Sequence, residues 1–405
     1  MGKRVLLVGL GMQGKAVLYD LVNCTGVSRI VVVDNQPGLL SELGPYPSEK
    51  VSGHCLDAAD AALATLMRDT DVVVEALPGS FALPLGRLAA DCGVSLVSSM
   101  YYLNPAERDA GTIESITQEI RQIDGKAKDK GIVILTEFGL DPGLDLILGA
   151  KAISEMDEVH ELYMYGAGIP APNARSNPLK YKFSWSIIGV MKAYCRAAKI
   201  ISNGQALTIE PTRVFESGNC HMLDVDAIGS PLECFPNGDS VHYAELFGIR
   251  DSIQQMGRYT CRLPGHCAFW DTMVKCGFLG EQPIPIGTAP IPPMQFTAAL
   301  LASQKQFHYA EDQQDMTFVR VDARGSRRGR KVNLIYDLID TRDLKTGLTS
   351  MQRTVGFTLS LGARLILERK LDKPGLLTAL DVPYERVFPQ LAKHDIHVHR
   401  QEILG

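Results

Sequence analysis

Short continuous apolar runs alternate with amphipathic segments over the first 140 residues, and the two periodicities predict different elements. Runs such as RIVVVD and DVVVEAL suit strands buried on both faces of a parallel sheet, whereas AADAALATLMRD and LPLGRLAADCG repeat at helical spacing. Strands are predicted at 4–9, 29–34, 51–56, 71–77, 94–99 and 132–137, with helical segments between most of them. This order predicts an α/β fold, a Rossmann-like doubly wound parallel sheet, in which ligands gather at the carboxyl ends of the strands.

After Pro142 the pattern changes to longer irregular stretches rich in Tyr, Pro and Gly, with strands that look antiparallel. A second, α+β domain on a mainly antiparallel sheet is predicted. EQPIPIGTAPIPP (281–293) reads as a proline-rich connection and FTAALLAS as a helix. MTFVRVDA and KVNLIYDLI read as a hairpin over 316–339, followed by a helix from about Ser350 to Lys370. The predicted domains are 1–140, 141–370, and a C-terminal 371–405 segment of helix and strand.

The stretch VLLVGLGMQGKAVLYDLV (5–22) places three glycines between the first strand and its helix. Gly9 permits a tight turn, Gly11 lets a pyrophosphate reach the backbone, and Gly14 lets helix and strand pack closely, with Met12 and Gln13 opening the helix. Asp34 ends the second strand twenty residues after Gly14, where a carboxylate accepts hydrogen bonds from ribose hydroxyls. Its charge repels a 2′-phosphate, so NAD is expected in preference to NADP. Asn35 follows it at the same edge. Asp57 reads either as a contact to the adenine edge or as an N-cap of the next helix. Ala76, Leu77 and Pro78 are expected to wall the cofactor pocket.

Composition narrows the alternatives. A chain of 405 residues exceeds one ordinary core, and 41 basic against 46 acidic residues leave a net charge of −5, so neither nucleic acid nor an anionic membrane is an expected partner. Arg324, Arg327, Arg328, Arg330 and Lys331 form the one basic cluster and read as a solvated hairpin tip. No C-x-x-C pair occurs among nine cysteines, and Cys92, Cys195 and Cys276 sit in apolar sequence, so free buried thiols are expected. His394, His397 and His399 cluster, but no nearby carboxylate or cysteine completes a metal set, and no metal is expected. The chain opens in a strand and has no uninterrupted apolar span, so a cytoplasmic location is expected.

NPAERDAG, LTEFGLDPGLDLILGAKAI, YGAGIPAP, SNPLKYKFSWS, FPNGDSVHY, RLPGH and TGLTSMQRTVGF occur in that order. Together they resemble the saccharopine dehydrogenase (saccharopine reductase) family, which includes lysine 6-dehydrogenase-like members. The resemblance implies a Rossmann-like cofactor domain, an inserted substrate domain, a C-terminal return to the first domain, and a homodimer. It also implies an NAD(P)-dependent oxidoreductase of lysine metabolism, acting on the CH–NH group of an amino acid with hydride passing to NAD. Hydrolysis of the resulting imine would then release glutamate and aminoadipate semialdehyde.

Such chemistry needs a group to take the amine proton, a held water, and cations for the substrate carboxylates. Asp141 of GLDPG matches a substrate-contacting aspartate of the family, and equally reads as turn chemistry. Glu137 is a second carboxylate, while Asp145 suits a first helical turn. Tyr101 follows the fifth strand and is expected on the substrate side. Tyr181, Phe183 and Trp185 share one face of an extended segment, a pocket wall by resemblance and core packing by composition alone. Arg262 reads as a carboxylate clamp or as half of a structural salt bridge.

The chain departs from the family where Y-C-G-G, F-S-W-S-x-R-G and P-N-R-D-S are usual. Gly166, Ile188 and Gly238 stand in place of a cysteine and two arginines. Arg175, Lys180 and Arg213 are candidate replacements. The alternatives are therefore a lysine 6-dehydrogenase or related amino-acid dehydrogenase, and a non-catalytic NAD(H)-sensing protein.

Overall fold

A computed structural model of the chain describes residues 2–404 except 106, 108, 288 and 372, so Ala106 and Arg108 of NPAERDAG lie outside the described residues. The first strands follow the predicted order: β1 (Lys3–Val8), β2 (Val27–Asp34), β3 (Val51–Cys55), β4 (Val72–Glu75), β5 (Ser95–Ser98) and β6 (Val133–Leu135). Helices α1 (Met12–Asn23), α2 (Pro37–Ser41), α3 (Leu63–Arg68), α4 (Ala82–Cys92) and α5 (Ala110–Asp129) connect them. Asp109 caps α5 by accepting the N–H of Thr112 at 2.7 Å. The helix α6 (Leu144–Ser154) then leads into the second unit.

That unit holds β7 (Glu158–Pro170), α7 (Ile187–Tyr194), β8 (Ala198–Ser202), β9 (Gln205–Ile209), β10 (His221–Leu223), β11 (Leu232–Pro236) and α8 (Ser240–Leu246). It continues through β12 (Gln255–Arg262), α9 (His266–Lys275), β13 (Ile284–Ile286), β14 (Ala289–Ile291), α10 (Pro293–Ala302), β15 (Asp315–Arg327) and β16 (Arg330–Thr341). The chain ends with α11 (Ser350–Leu367), β17 (Gly375–Leu377), α12 (Tyr384–Leu391) and β18 (Val398–Leu404).

The first sheet is parallel throughout, in the order β17-β6-β5-β4-β1-β2-β3. Its strand order reverses between β1 and β4, the crevice where doubly wound sheets bind ligands. Val5, Leu6, Leu7 and Val8 are buried, as are Val72, Val73 and Val74, which explains the continuous apolar runs.

The second sheet runs β10-β11-β12-β7-β15-β16-β18, with β8 and β9 attached to β12. It is antiparallel except where β12 runs parallel to β7. The β15–β16 hairpin turns on Arg328 and Gly329 with φ of 53° and 74°, the mirror-image turn that matches strand twist. The predicted basic tip sits there. Arg324 pairs with Asp322 at 2.9 Å, and Arg327 pairs with Glu402.

Several boundaries differ from those predicted. The units are Met1–Ile147 with Gln352–Ile396, and Leu148–Met351 with His397–Gly405. Most of α11 therefore belongs to the first unit rather than to a 141–370 domain, and the end of the chain leaves the first unit because β18 pairs with β16. The proline-rich connection forms the β13–β14 hairpin with Ile284 opposite Ile291. Residues 181–186 form no strand. All nine cysteines are free, but only Cys234, Cys261 and Cys267 are buried: Cys92 and Cys195 are half-buried, and Cys55 and Cys276 are exposed, Cys276 at the end of α9 despite its apolar sequence surroundings. No helix among the described residues is long and apolar enough to cross a membrane.

Candidate functional site

The glycine turn is built by contacts that leave no room for side chains. Gly9 has φ of 99°, and a Cβ there would lie 2.7 Å from the carbonyl oxygen of Ala76. A Cβ on Gly14 would collide with the carbonyl oxygen of Gly9, so the helix α1 can cross the strand end this closely only with glycine at that position. Gly11 is different: nothing lies within 4 Å of where its Cβ would point. It is the N-cap of α1, offers no capping side chain, and no acidic residue follows in the first turn. The backbone N–H groups of this turn are thus available to an anion.

A pocket beside this turn is lined by Gly11, Asp34, Asn35, Asp57, Ala76, Leu77 and Pro78, bringing together most of the predicted cofactor residues. Gly9 and Gly14 shape the turn from behind, while Met12 and Gln13 are not part of the lining. Met12 instead accepts the Nε2–H of Gln352 at its carbonyl, at 2.8 Å. Sequence reasoning missed Gln36 and also Val8, Val33, Leu39, Leu56, Ala58 and Phe81, which give the pocket its apolar surface. They carry no distinctive chemistry in the sequence, so nothing there singles them out.

Asp34 is 8% exposed and ties the turn to β2. Its Oδ2 accepts the N–H of Leu10 at 2.8 Å and its Oδ1 accepts that of Gln36 at 2.9 Å. Asp57 does not cap α3, whose N-cap is Ala62. It closes a local turn, accepting the N–H of Ala59 at 2.9 Å and an N–H of Asn35 at 3.2 Å, and these bonds hold its carboxyl below the usual range. Among the described lining residues there is no lysine or arginine. The open glycine backbone, the Asp34 carboxylate and the apolar wall fit the adenosine and pyrophosphate of a dinucleotide.

Two further features of the first unit concern the expected catalytic carboxylates. Asp141 is exposed at the tip of a tight turn in which Gly139 donates its N–H to the Pro142 carbonyl at 3.2 Å. The turn reading of Asp-Pro-Gly is therefore realised. Glu137 has φ of 55°, a left-handed conformation rare outside glycine, and donates its backbone N–H to the Met100 carbonyl at 3.1 Å. Asp145 caps the same corner from the first turn of α6 by accepting the N–H of Gly143 at 2.8 Å. Tyr101 follows β5 and is half-buried.

In the second unit, the aromatic run packs inward. Tyr181 and Phe183 are buried with ring centroids 5.1 Å apart, and Phe183 also meets Phe307. A Cβ on Gly189 would lie 2.7 Å from Trp185, so that ring too is packed against protein. Lys182 and Ser184 are buried as well, at 3% and 4% exposure, so no single face of the run is open. Tyr181 and Phe183 are thus core residues, with Tyr181 against Arg262, while Trp185 is half-buried at the edge of that cluster and Ser186 is exposed.

Arg262 is 5% exposed, and no carboxylate pairs with it among the described residues. Its guanidinium lies 5.0 Å from the centre of the Tyr181 ring, and Nη1 donates to the Cys261 carbonyl at 2.8 Å. Its Nε has no partner among the described residues, nor does the buried hydroxyl of Tyr309. His266 beside it shares a hydrogen bond of 2.8 Å with Tyr194 and is kept neutral by burial and by the Arg262 charge. A buried arginine without a carboxylate is suited to an incoming one, and the structural salt bridge is not what is observed.

The three candidate replacements for the missing family residues have other tasks. Arg175 donates to the carbonyls of Pro170 and Ile228, Arg213 pairs with Glu216, and Lys180 is exposed. The cation beside Gly238 is instead Arg258, whose Nη1 lies 3.5 Å from where a Cβ on Gly238 would stand. Gly238 has φ of 71°, and Arg258 is 6% exposed over the ring of Tyr243. Arg258 and Arg262 lie four residues apart on β12, hence on one face, a signal in QMGRYTCR that sequence reasoning passed over.

Residues 5–135 match the saccharopine dehydrogenase NADP binding domain, and residues 139–396 match the saccharopine dehydrogenase C-terminal domain. The chain belongs to the saccharopine dehydrogenase family. It is 29% identical to saccharopine dehydrogenase [NADP(+), L-glutamate-forming] of Saccharomyces cerevisiae over 72% of this chain and 62% of that protein. It is 26% identical to alpha-aminoadipic semialdehyde synthase of Arabidopsis thaliana over 80% of this chain but 36% of that protein. The chain thus spans between about a third and two thirds of these relatives' length. The structure of apo saccharopine dehydrogenase (L-Glu forming) from Saccharomyces cerevisiae superposes with a TM-score of 0.81 at 22% identity, covering 99% of this chain and all of that one, and so shares its fold.

Proposed function

We propose that the chain oxidises the CH–NH group of an amino acid, as a saccharopine-type dehydrogenase that prefers NAD to NADP. The observation that carries this reading is the pocket at the strand-order reversal, with an open glycine turn on one side and the Asp34 carboxylate on the other. The name of the Saccharomyces cerevisiae relative specifies NADP(+), as does that of the matching family domain, whereas a 2′-phosphate here would meet a carboxylate and no cation among the described lining residues. A bound nicotinamide would supply the hydride acceptor.

The chain's own residues would do the rest. The α1 N-terminus would hold the pyrophosphate and Asp34 the adenosine ribose. Asp141 or Glu137 would take the proton that the amine must release, directly or through a water. Arg262, with the Tyr309 hydroxyl, would receive a substrate carboxylate. Water added to the oxidised carbon would release glutamate and aminoadipate semialdehyde if the substrate is saccharopine.

A lysine 6-dehydrogenase is the second reading, favoured by Ile188 and Gly238 where the family carries arginines. Saccharopine has three carboxylates, and each lost charge-assisted contact weakens it by roughly tenfold or more. Incubating the protein with NAD or NADP and a panel of saccharopine, lysine and related amino acids, followed by reduced-cofactor absorbance, separates the readings. Fastest turnover of saccharopine with NAD is expected, and faster turnover of lysine selects the alternative. Absence of turnover in either direction alongside intact NADH binding refutes both. Asp141→Asn is expected to lower turnover far more than cofactor affinity, and unchanged turnover returns Asp141 to a purely structural turn.

A further inference from the structure

Glu75 ends β4, the strand beside β1 where the strand order reverses, and is 1% exposed. Its neighbours across the sheet are Val8 on β1 and Ser98 on β5. Oε1 accepts the N–H of Leu77 at 2.7 Å, and Oε2 accepts the O–H of Ser98. The Ser98 oxygen in turn accepts the N–H of Met100 at 3.0 Å. Leu77 belongs to the wall of the dinucleotide pocket, and Met100 to the turn that continues into Tyr101. One buried carboxylate therefore ties together the two strand-end segments that follow β4 and β5.

Burial pushes the Glu75 carboxyl up to about 7, against the opposing pull of its bonds from Ser98 and Leu77. Tyr102 is the titratable side chain whose charge couples to it among the described residues, and burial keeps that phenol neutral. Tyr102 packs against Gly86 of α4. An ionised carboxylate only accepts, and its bonds are roughly twice as strong as neutral ones. A protonated carboxyl carries an O–H that needs an acceptor. The bonds from Leu77 and Ser98 then lose their charge assistance, and a proton on Oε2 obliges Ser98 to turn from donor to acceptor.

We infer that Glu75 is a positioning residue operated by a proton: ionised, it holds the Leu77 wall and the Ser98–Met100 turn in the arrangement that binds the dinucleotide, and protonated, it releases them. The inference rests on reading the pocket as a dinucleotide site. ADP-ribose is the suitable probe, because it carries the adenosine, pyrophosphate and ribose without the nicotinamide charge. Calorimetric titration of the whole protein from about pH 5.5 to 8.5 spans the transition.

Wild-type affinity is expected to rise by about tenfold with pH, the worth of one strengthened hydrogen bond. Glu75→Gln is expected to bind at the low-pH level throughout. Ser98→Ala is expected to move the midpoint upward, because it removes one of the two bonds that favour the carboxylate. A merely structural role would leave that midpoint in place. A Glu75→Gln profile that follows the wild type, or a wild-type affinity independent of pH, overturns the inference while leaving the dinucleotide site intact. Failure of ADP-ribose to bind the wild type at every pH overturns the dinucleotide reading, and the inference with it.

Discussion

Gly11 and Gly14 stand three residues apart, yet their surroundings predict opposite consequences for alanine. At Gly11 the backbone has φ of −64° and ψ of −163°, which alanine adopts freely, and no atom lies within 4 Å of the added methyl. Alanine is a poorer N-cap than glycine by up to about 1 kcal/mol. It also restricts the unfolded chain, which returns roughly 0.4–1 kcal/mol. The two effects nearly cancel, so Gly11→Ala is expected to unfold within about 0.5 kcal/mol of the wild type. Its methyl nevertheless fills the space through which, on the proposed reading, a pyrophosphate would reach the backbone. Loss of one or two charge-assisted bonds at roughly 1.5 kcal/mol each weakens the cofactor by about ten- to a hundredfold.

Gly14→Ala differs because its methyl collides with the Gly9 carbonyl, a backbone atom that cannot turn aside. Overpacking of this kind costs about 1–3 kcal/mol, so both stability and affinity are expected to fall. Chemical unfolding without ligand, paired with NADH titration, reads both quantities for each variant. A Gly11→Ala protein that is stable and still binds NADH with wild-type affinity would refute the placement of the pyrophosphate at this turn.

If Asp34 opposes a 2′-phosphate as proposed, Asp34→Ser is expected to raise the ratio of NADP to NAD efficiency by at least about tenfold; an unchanged ratio refutes that role for Asp34. Arg262→Met replaces a buried cation by an apolar side chain of similar length, so the fold should survive. The substrate KM is expected to rise by about tenfold or more with NADH affinity unchanged, and an unaltered KM removes Arg262 from the substrate site. Glu75 also predicts a pH dependence of stability. Its carboxyl is raised from 4.5 to about 7 in the folded protein, so its contribution is fully present below 4.5 and is lost as pH rises through 7. The loss amounts to about 3 kcal/mol, and denaturant unfolding at both ends of this range should show it in the wild type but not in Glu75→Gln. Equal pH dependence in the two proteins contradicts the burial argument.

Local pattern determined the first half of the fold and the cofactor turn. An all-apolar run can be satisfied only as a buried strand, and a glycine triplet between strand and helix has few other uses. Asp34 was legible for the same reason, since its position at the end of β2 is fixed by distance along the chain alone. The long hairpin was legible too, because strict alternation and the Arg328–Gly329 turn act over short range.

Tertiary structure decided what depends on partners distant in sequence. YKFSWS carries the same aromatic residues whether it walls a pocket or fills a core, and only tertiary packing, as of Phe183 on Phe307, buries Tyr181 and Phe183 while leaving Trp185 half-buried. The division of the chain was hidden because β18 finds its partner in β16, while most of α11 packs with the first unit. Arg258 became the cation beside Gly238 because β12 brings it there, not because it is near in sequence. Glu75 shows the limit most directly. The sequence prints a glutamate at the end of an apolar strand, but burial and the bonds from Leu77 and Ser98 arise only when β4 and β5 lie side by side, and these set its charge.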